Sequence, residues 1–211
     1  IMENVMNLYE RYILPKAIDL ACGTGHVMKA RARIVPQASG KVLEIGIGSG
    51  LNLAFYDPKK VSAIVGVDPA AQMETLTKQR AASLTIPVDM ITSDIQGIHA
   101  QPESFDTIVM TFTLCSIANP IAALKEMVKV LKPEGRLLFC EHGLAPDPTI
   151  ERWQHRLTPL WIPLAGGCHL NRDIPTLITA GGFTIKNLRS EYLPGPRAMS
   201  YVYSGSAYKT V

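Results

Sequence analysis

The sequence contains no apolar run of membrane-spanning length. Its longest, Ile108 to Ala118, is broken by Thr111 and Thr113 and falls short of the ~18 residues that a bilayer helix requires. Close cysteine pairs are also missing. Cys22, Cys115, Cys140 and Cys168 are scattered, without the CxxC spacing of sequence-readable zinc sites, so a reduced interior with no metal ligand is expected. Nor is there a charge excess of one sign: 21 Lys+Arg stand against 18 Asp+Glu, a net +3, too small and too dispersed for the basic stripe of a nucleic-acid binder. The first residues include Glu3 and Glu10 and lack the basic start and small-residue cleavage site of a signal peptide. A cytoplasmic protein is therefore expected, with a peripheral membrane role left open.

What is present suits a folded core. Of 211 residues, 47% are hydrophobic and 18% charged, which excludes a disordered tail and fits one compact domain. Met2, Val5, Met6, Tyr9 and Ile13 recur at helical spacing, so an amphipathic helix over 2–14, stopped by Pro15, is expected ahead of the main fold. From Lys41 onward, short apolar runs alternate with helical patterns. Strands are expected at Val42–Ile45, Ala63–Val67, Val88–Ile91, Thr107–Phe112 and Leu137–Cys140, and helices near 51–56, 70–82 and 120–131. The last of these carries the stripe Ile121, Leu124, Val128 and Leu131, and Pro133 and Gly135 are expected to end it.

Residues 143–172 hold several prolines, both tryptophans and no clean strand, which reads as an insertion over the sheet's edge. Within it, Trp153 to Leu164 mixes apolar and basic residues, a composition that suits a membrane interface, a lid, or a packed cover. A short helix follows from Asp173 to Gly181. The alternating runs 183–188 and 201–208 are joined so closely that they must pair antiparallel. The expected fold is α/β: a Rossmann-like, seven-stranded, mostly parallel sheet with helices on both faces and a C-terminal antiparallel hairpin. Residues 1–40 would form a helical cap and 41–211 the main domain.

The strongest chemical signal is Val42 to Gly50, a buried strand running into Gly46, Gly48 and Gly50. Alternate glycines permit a tight turn and let backbone N–H groups approach a ligand. Leu51 stands where a dinucleotide fingerprint has Gly or Ala, and Val42 follows Gly40-Lys41 where a P-loop has Ser or Thr, so both of those motifs fail. A second glycine cluster, Asp19 to Gly25, lacks a preceding strand and is read as a decoy. Asp68 closes the next strand, where a carboxylate can accept ribose hydroxyls, and Asp94 follows the one after, at the same rim.

With these residues the chain resembles class I S-adenosylmethionine-dependent methyltransferases from Lys41 to its end. The match rests on Glu44-x-Gly46-x-Gly48-x-Gly50, Asp68, Asp94, the Phe105 to Val109 strand and Leu131 to Leu137. The resemblance implies S-adenosyl-L-methionine as cofactor and S-adenosyl-L-homocysteine as product. By it, Glu44 and the glycine loop serve the methionine part, Asp68 with Pro69 the ribose, and Asp94 with Ile95 the adenine. Thr113, Leu114 and Cys115 would line the cofactor's other face. Glu141-His142 and the stretch Gly166 to Arg172 look like the branch holding vertebrate alkyl-thiol methyltransferases and related bacterial proteins, though without the N-terminal membrane-anchoring stretch of the former. Small bacterial phospholipid N-methyltransferases share the loop.

The implied reaction is methyl transfer to a small apolar nucleophile, a thiol first. N-methylation of a lipid headgroup such as phosphatidylethanolamine, or cofactor binding without catalysis, are the alternatives. A thiol must react as thiolate, so a base is useful; His142 and His169 are the candidates, each equally readable as a structural histidine. Cys168 beside His169 is expected to be structural, and Asn171 and Arg172 remain open between substrate contact and local capping. The partner is a small molecule, not nucleic acid.

Overall fold

A computed structural model describes residues 8–95 and 100–210 of the chain. Residues 2–7 of the helix expected at 2–14 lie outside it. The sheet forms because successive side chains of its strands point to opposite faces and both faces are apolar. In β1 (Gly40–Ile45) Val42 and Leu43 are both fully buried, in opposite cores. β2 (Val61–Val67), β3 (Val88–Ile91), β4 (Phe105–Thr111) and β5 (Leu131–His142) run parallel with it. β6 (Phe183–Tyr192) and β7 (Tyr201–Lys209) complete the sheet as an antiparallel hairpin, in the order β3-β2-β1-β4-β5-β7-β6. The fold class read from the sequence is therefore observed. Strand order reverses between β1 and β4, and the crevice beyond the C-terminal ends there is where such sheets bind ligands.

Two helices precede the sheet, α1 (Leu14–Cys22) and α2 (Gly25–Ile34). Pro15 does not stop a helix; it lies in the first turn of α1, where its missing N–H has no intrahelical partner to lose. Tyr9–Ile13 forms a π-helical turn leading into α1. Between β2 and β3 lies α3 (Glu74–Ala81), within the expected 70–82. The helix expected at 51–56 is only a 3-10 turn at Leu53–Phe55.

α4 (Pro120–Val130) buries Ala123, Leu124, Met127 and Val130, while Ile121 is 38% exposed. Its buried stripe is thus rotated from the expected one, and Leu131 already belongs to β5 together with Pro133 and Gly135. A register irregularity opposite Phe105 and Thr107 accommodates this proline-containing start.

The largest departure is the segment 143–172, which contains the helix α5 (Pro148–Leu164) with Pro159 and Pro163 inside it. The two prolines are four residues apart on one exposed face, where water can serve the carbonyls their rings leave unbonded. α5 does not cover a sheet edge. Its buried Gln154 donates to the Gly143 and Ala198 carbonyls at 3.0 and 3.1 Å and accepts from the Ala145 N–H at 2.8 Å, holding the helix at the C-terminal end of β5. Trp153, Leu160 and Leu164 are exposed on α5. α6 (Ile174–Ala180), capped by Asp173, and the short α7 (Arg197–Ser200) complete the chain. Among the described residues no helix is long and apolar enough to cross a membrane.

Gln154→Ala would remove the side-chain partner of two buried backbone groups, Gly143 C=O and Ala145 N–H, and of the part-buried Ala198 C=O. It is expected to lower the unfolding free energy by about 3 kcal/mol in urea titrations, whereas Trp153→Ala on the exposed face changes it by less than about 1 kcal/mol.

Candidate functional site

The site begins where β1 leaves the sheet. Gly46 and Gly48 adopt φ of 67° and 53°, a region that side chains rarely enter. At Gly46 there is a second constraint: a Cβ would collide with the Thr113 side chain. Thr113 is delivered there by Phe112, a non-glycine residue at φ 54°, whose N–H donates to the Cys140 carbonyl at 2.8 Å. The loop is joined to the end of β2 by Asp68, whose carboxylate accepts from the Gly48 N–H at 2.9 Å and the Ala70 N–H at 2.8 Å. Burial raises the Asp68 pKa against these two hydrogen bonds.

A cavity of about 570 Å³ opens over this rim, within the ~300–1,000 Å³ usual for small-molecule sites. Of the candidates named from the sequence, Gly46, Gly48, Asp68 and Pro69 line it on one side, with Asp94, Ile95 and Thr113. Glu44, Gly50, Leu114 and Cys115 do not. Gly50, at φ 80°, packs toward Leu53 and Thr77, Leu114 points into the core, and Cys115 is buried beside His142 and Cys168. The rest of the lining includes residues from outside the loop: the mostly apolar Leu14, Pro15, Ile18 and Cys22 of α1, Arg31 of α2, and Gly166 after α5.

Glu44 supports the loop from below. It is buried, accepting from Asn52 Nδ2 at 2.9 Å and the Tyr56 hydroxyl at 2.7 Å. Asn52 in turn donates to Thr111 Oγ1 at 2.9 Å and accepts from Arg31 Nη1 at 2.9 Å. Arg31, 5% exposed, also donates to Thr111 and lies 5.0 Å over the Phe112 ring. Burial pushes the Glu44 pKa up to about 7, with the Tyr56 and Asn52 hydrogen bonds and the Arg31 charge opposing it.

Neither catalytic candidate lines the cavity. His169 is tied through Nδ1, which lies 2.8 Å from the Gly167 carbonyl and 3.1 Å from that of Cys115. His142 sits behind the wall with Nε2 3.0 Å from Cys168 Sγ, so Cys168 meets His142 and not its chain neighbour His169. Arg172 donates to the Leu114 carbonyl and Asn171 pairs with His155, both local roles.

Two further residues shape the site without a readable spacing. Asp19, from the cluster read as a decoy, accepts from Ser49 Oγ at 2.5 Å and from Arg80 at 2.9 and 3.2 Å. It ties α1 to the glycine loop, and the Arg80 hydrogen bond is the main force holding its carboxyl below the usual range. Glu141 at the end of β5 is buried and accepts from the Thr113 and Leu114 N–H groups at 2.9 to 3.0 Å. Its pKa is pushed up to about 8, by desolvation first.

These residues fit a nucleoside-bearing sulfonium cofactor: glycine-only backbone at Gly46, two carboxylates at consecutive strand ends, and apolar Ile95 between Asp94 and the core. Residues 43–139 match the family described as a methyltransferase domain. The chain is 33% identical to thiol S-methyltransferase TMT1B of Rattus norvegicus over 74% of its own length and 64% of the relative's. It is 29% identical to thiol S-methyltransferase TMT1A of Homo sapiens over 79% of its length and 68% of that protein. The chain thus spans about two thirds of the length of these relatives. The N-methyltransferase NodS of Bradyrhizobium japonicum WM9, crystallised with S-adenosyl-L-homocysteine, superposes with a TM-score of 0.70 at 19% identity over 98% of this chain and 97% of that one, a likeness of fold.

The buried carboxyls make stability depend on pH. Glu44 and Glu141 have folded pKa values of about 7 and about 8 against 4.5 when free, so the folded state binds the extra protons. Their contribution is complete below the free value and is lost as pH rises through the folded values. Urea unfolding from about pH 5 to about pH 9 is expected to show falling stability, by up to about 1.4 kcal/mol per pH unit per group. Glu44→Gln should flatten the lower part of that fall.

Proposed function

Because the chain carries a class I S-adenosylmethionine-dependent methyltransferase domain, we propose that it transfers the cofactor's methyl group to a small apolar thiol. S-adenosylmethionine supplies an electrophilic methyl on a sulfonium, so the protein's task is alignment of the nucleophile and exclusion of water. In this reading the Gly46 to Gly48 backbone receives the methionine part. Asp68, beside Pro69, accepts from the ribose hydroxyls, Asp94 and Ile95 border the adenine, and Thr113 closes the far side. Glu44, through Asn52, keeps the loop in place and does not touch the cofactor.

The observation that carries the acceptor class is the apolar wall of Leu14, Pro15 and Ile18 facing the polar rim across one cavity. These three residues carry no charge, the charged lining being Asp68 and Asp94 on the rim and the nearly buried Arg31, and α1 is pinned over the loop by Asp19. Similarity to relatives named thiol S-methyltransferases supports a thiol within that class. His169 then acts as a positioning residue, holding the Gly167 turn against the Cys115 carbonyl beside the wall. His142 has the same standing behind it. The exposed Trp153, Leu160 and Leu164 of α5 support peripheral contact with an apolar phase from which such acceptors partition.

Incubation with methyl-labelled cofactor and a panel of alkyl thiols, hydrogen sulfide and phosphatidylethanolamine should label the thiols. Label on phosphatidylethanolamine alone would refute the thiol reading. In calorimetry, Asp68→Ala should weaken cofactor binding at least ~10-fold through loss of a charge-assisted contact; unchanged affinity would remove Asp68 from the site.

A further inference from the structure

Behind the Ser116 and Gly166 part of the cavity wall, three thiophilic side chains converge from three separate segments. Cys115 follows β4, His142 ends β5, and Cys168 follows α5. One potential ligand atom from each lies within 4.8 Å of the others. All four cysteines of the chain are free thiols, and Cys115 is 2% exposed. The His142 ring is not consumed by a polar network: Nε2 faces Cys168 Sγ at 3.0 Å, and Nδ1 is buried with no hydrogen-bond partner.

We propose that Cys115, His142 and Cys168 form a binding site for one soft divalent cation of the zinc class. Bond lengths of about 2.3 Å to sulfur and about 2.0 Å to nitrogen in a tetrahedron place sulfur about 3.8 Å from sulfur and about 3.5 Å from nitrogen. His142 Nε2 and Cys168 Sγ stand at 3.0 Å and all three atoms lie within 4.8 Å of one another, limits that bracket those values. Admitting the ion opens the His142–Cys168 contact by about half an ångström, a change within reach of cysteine side-chain rotation.

Ligand chemistry selects the ion. Two thiolates and a neutral imidazole cancel a double positive charge, which suits a buried position, and no carboxylate joins the three ligands. The adjacent Glu141 has committed its oxygens to the Thr113 and Leu114 N–H groups, so oxygen-seeking calcium or magnesium finds no set here. Three protein ligands leave a fourth position for water or a small thiol. The ion would fasten the loop after α5 to the turn after β4, directly behind Ser116 and Gly166, which line the cavity. The proposal stands whether or not thiols are the acceptors.

The test uses the full chain after chelator treatment, titrated with cobalt(II). About one equivalent should bind with thiolate-to-cobalt charge-transfer absorption and tetrahedral visible bands, and zinc(II) should displace it. Cys168→Ser, at a half-buried position, and His142→Ala should each weaken cobalt affinity at least ~10-fold. His155→Ala, on the exposed face of α5, should leave it unchanged. Circular dichroism of each variant confirms that it is folded, and the charge-transfer band of the unsubstituted chain decides the matter if a variant is not. Absence of uptake at micromolar cobalt, uptake without the charge-transfer band, or equal affinity in Cys168→Ser would overturn the site.

Discussion

No side chain fits between the exit of β1 and Thr113, and the geometry of the crevice follows from that contact. Gly46 must be glycine both for its φ of 67° and because any Cβ would meet Thr113. Thr113 in turn is placed by the left-handed turn at Phe112 and by the Glu141 carboxyl that takes its N–H. The last residues of β1, β4 and β5 are thereby locked together at the point where strand order reverses, and the cavity is the space that this lock leaves open.

Most of the chain's charged side chains face water, and three are withdrawn from it around the site. Glu44 and Glu141 are buried behind the cavity lining and Arg31, 5% exposed, is part of that lining; each keeps polar partners that offset part of its desolvation. Glu44 and Arg31 share Asn52 and Thr111, so the support of the glycine loop runs through a network joining α2, β1 and β4.

The parts of the candidate site that were legible in the sequence are those whose function lies in local backbone. Glycines at 46 and 48, and carboxylates closing β2 and β3, sit at strand ends that hydrophobic runs announce, so position along the chain and position in space coincide. Gly50, Leu114 and Cys115 neighbour lining residues in the chain but are not themselves part of the cavity wall, because which way a residue faces after a turn is set by packing and not by its place in the sequence. α5 was hidden by Pro159 and Pro163, whose cost is small on an exposed helical face and invisible without knowing which face that is.

Sequence alone determined the α/β architecture, the hairpin at its end and the acidic, glycine-lined rim, because periodicity and strand-end chemistry depend only on near neighbours. Tertiary structure alone decided that Asp19 would bind Arg80 and Ser49, that Arg31 would reach Thr111, and that Cys115, His142 and Cys168 would meet. Those contacts join residues far apart in the chain, and no spacing rule encodes them. They exist because the parallel sheet brings the ends of β4 and β5 side by side and folds the flanking helices over that shared rim.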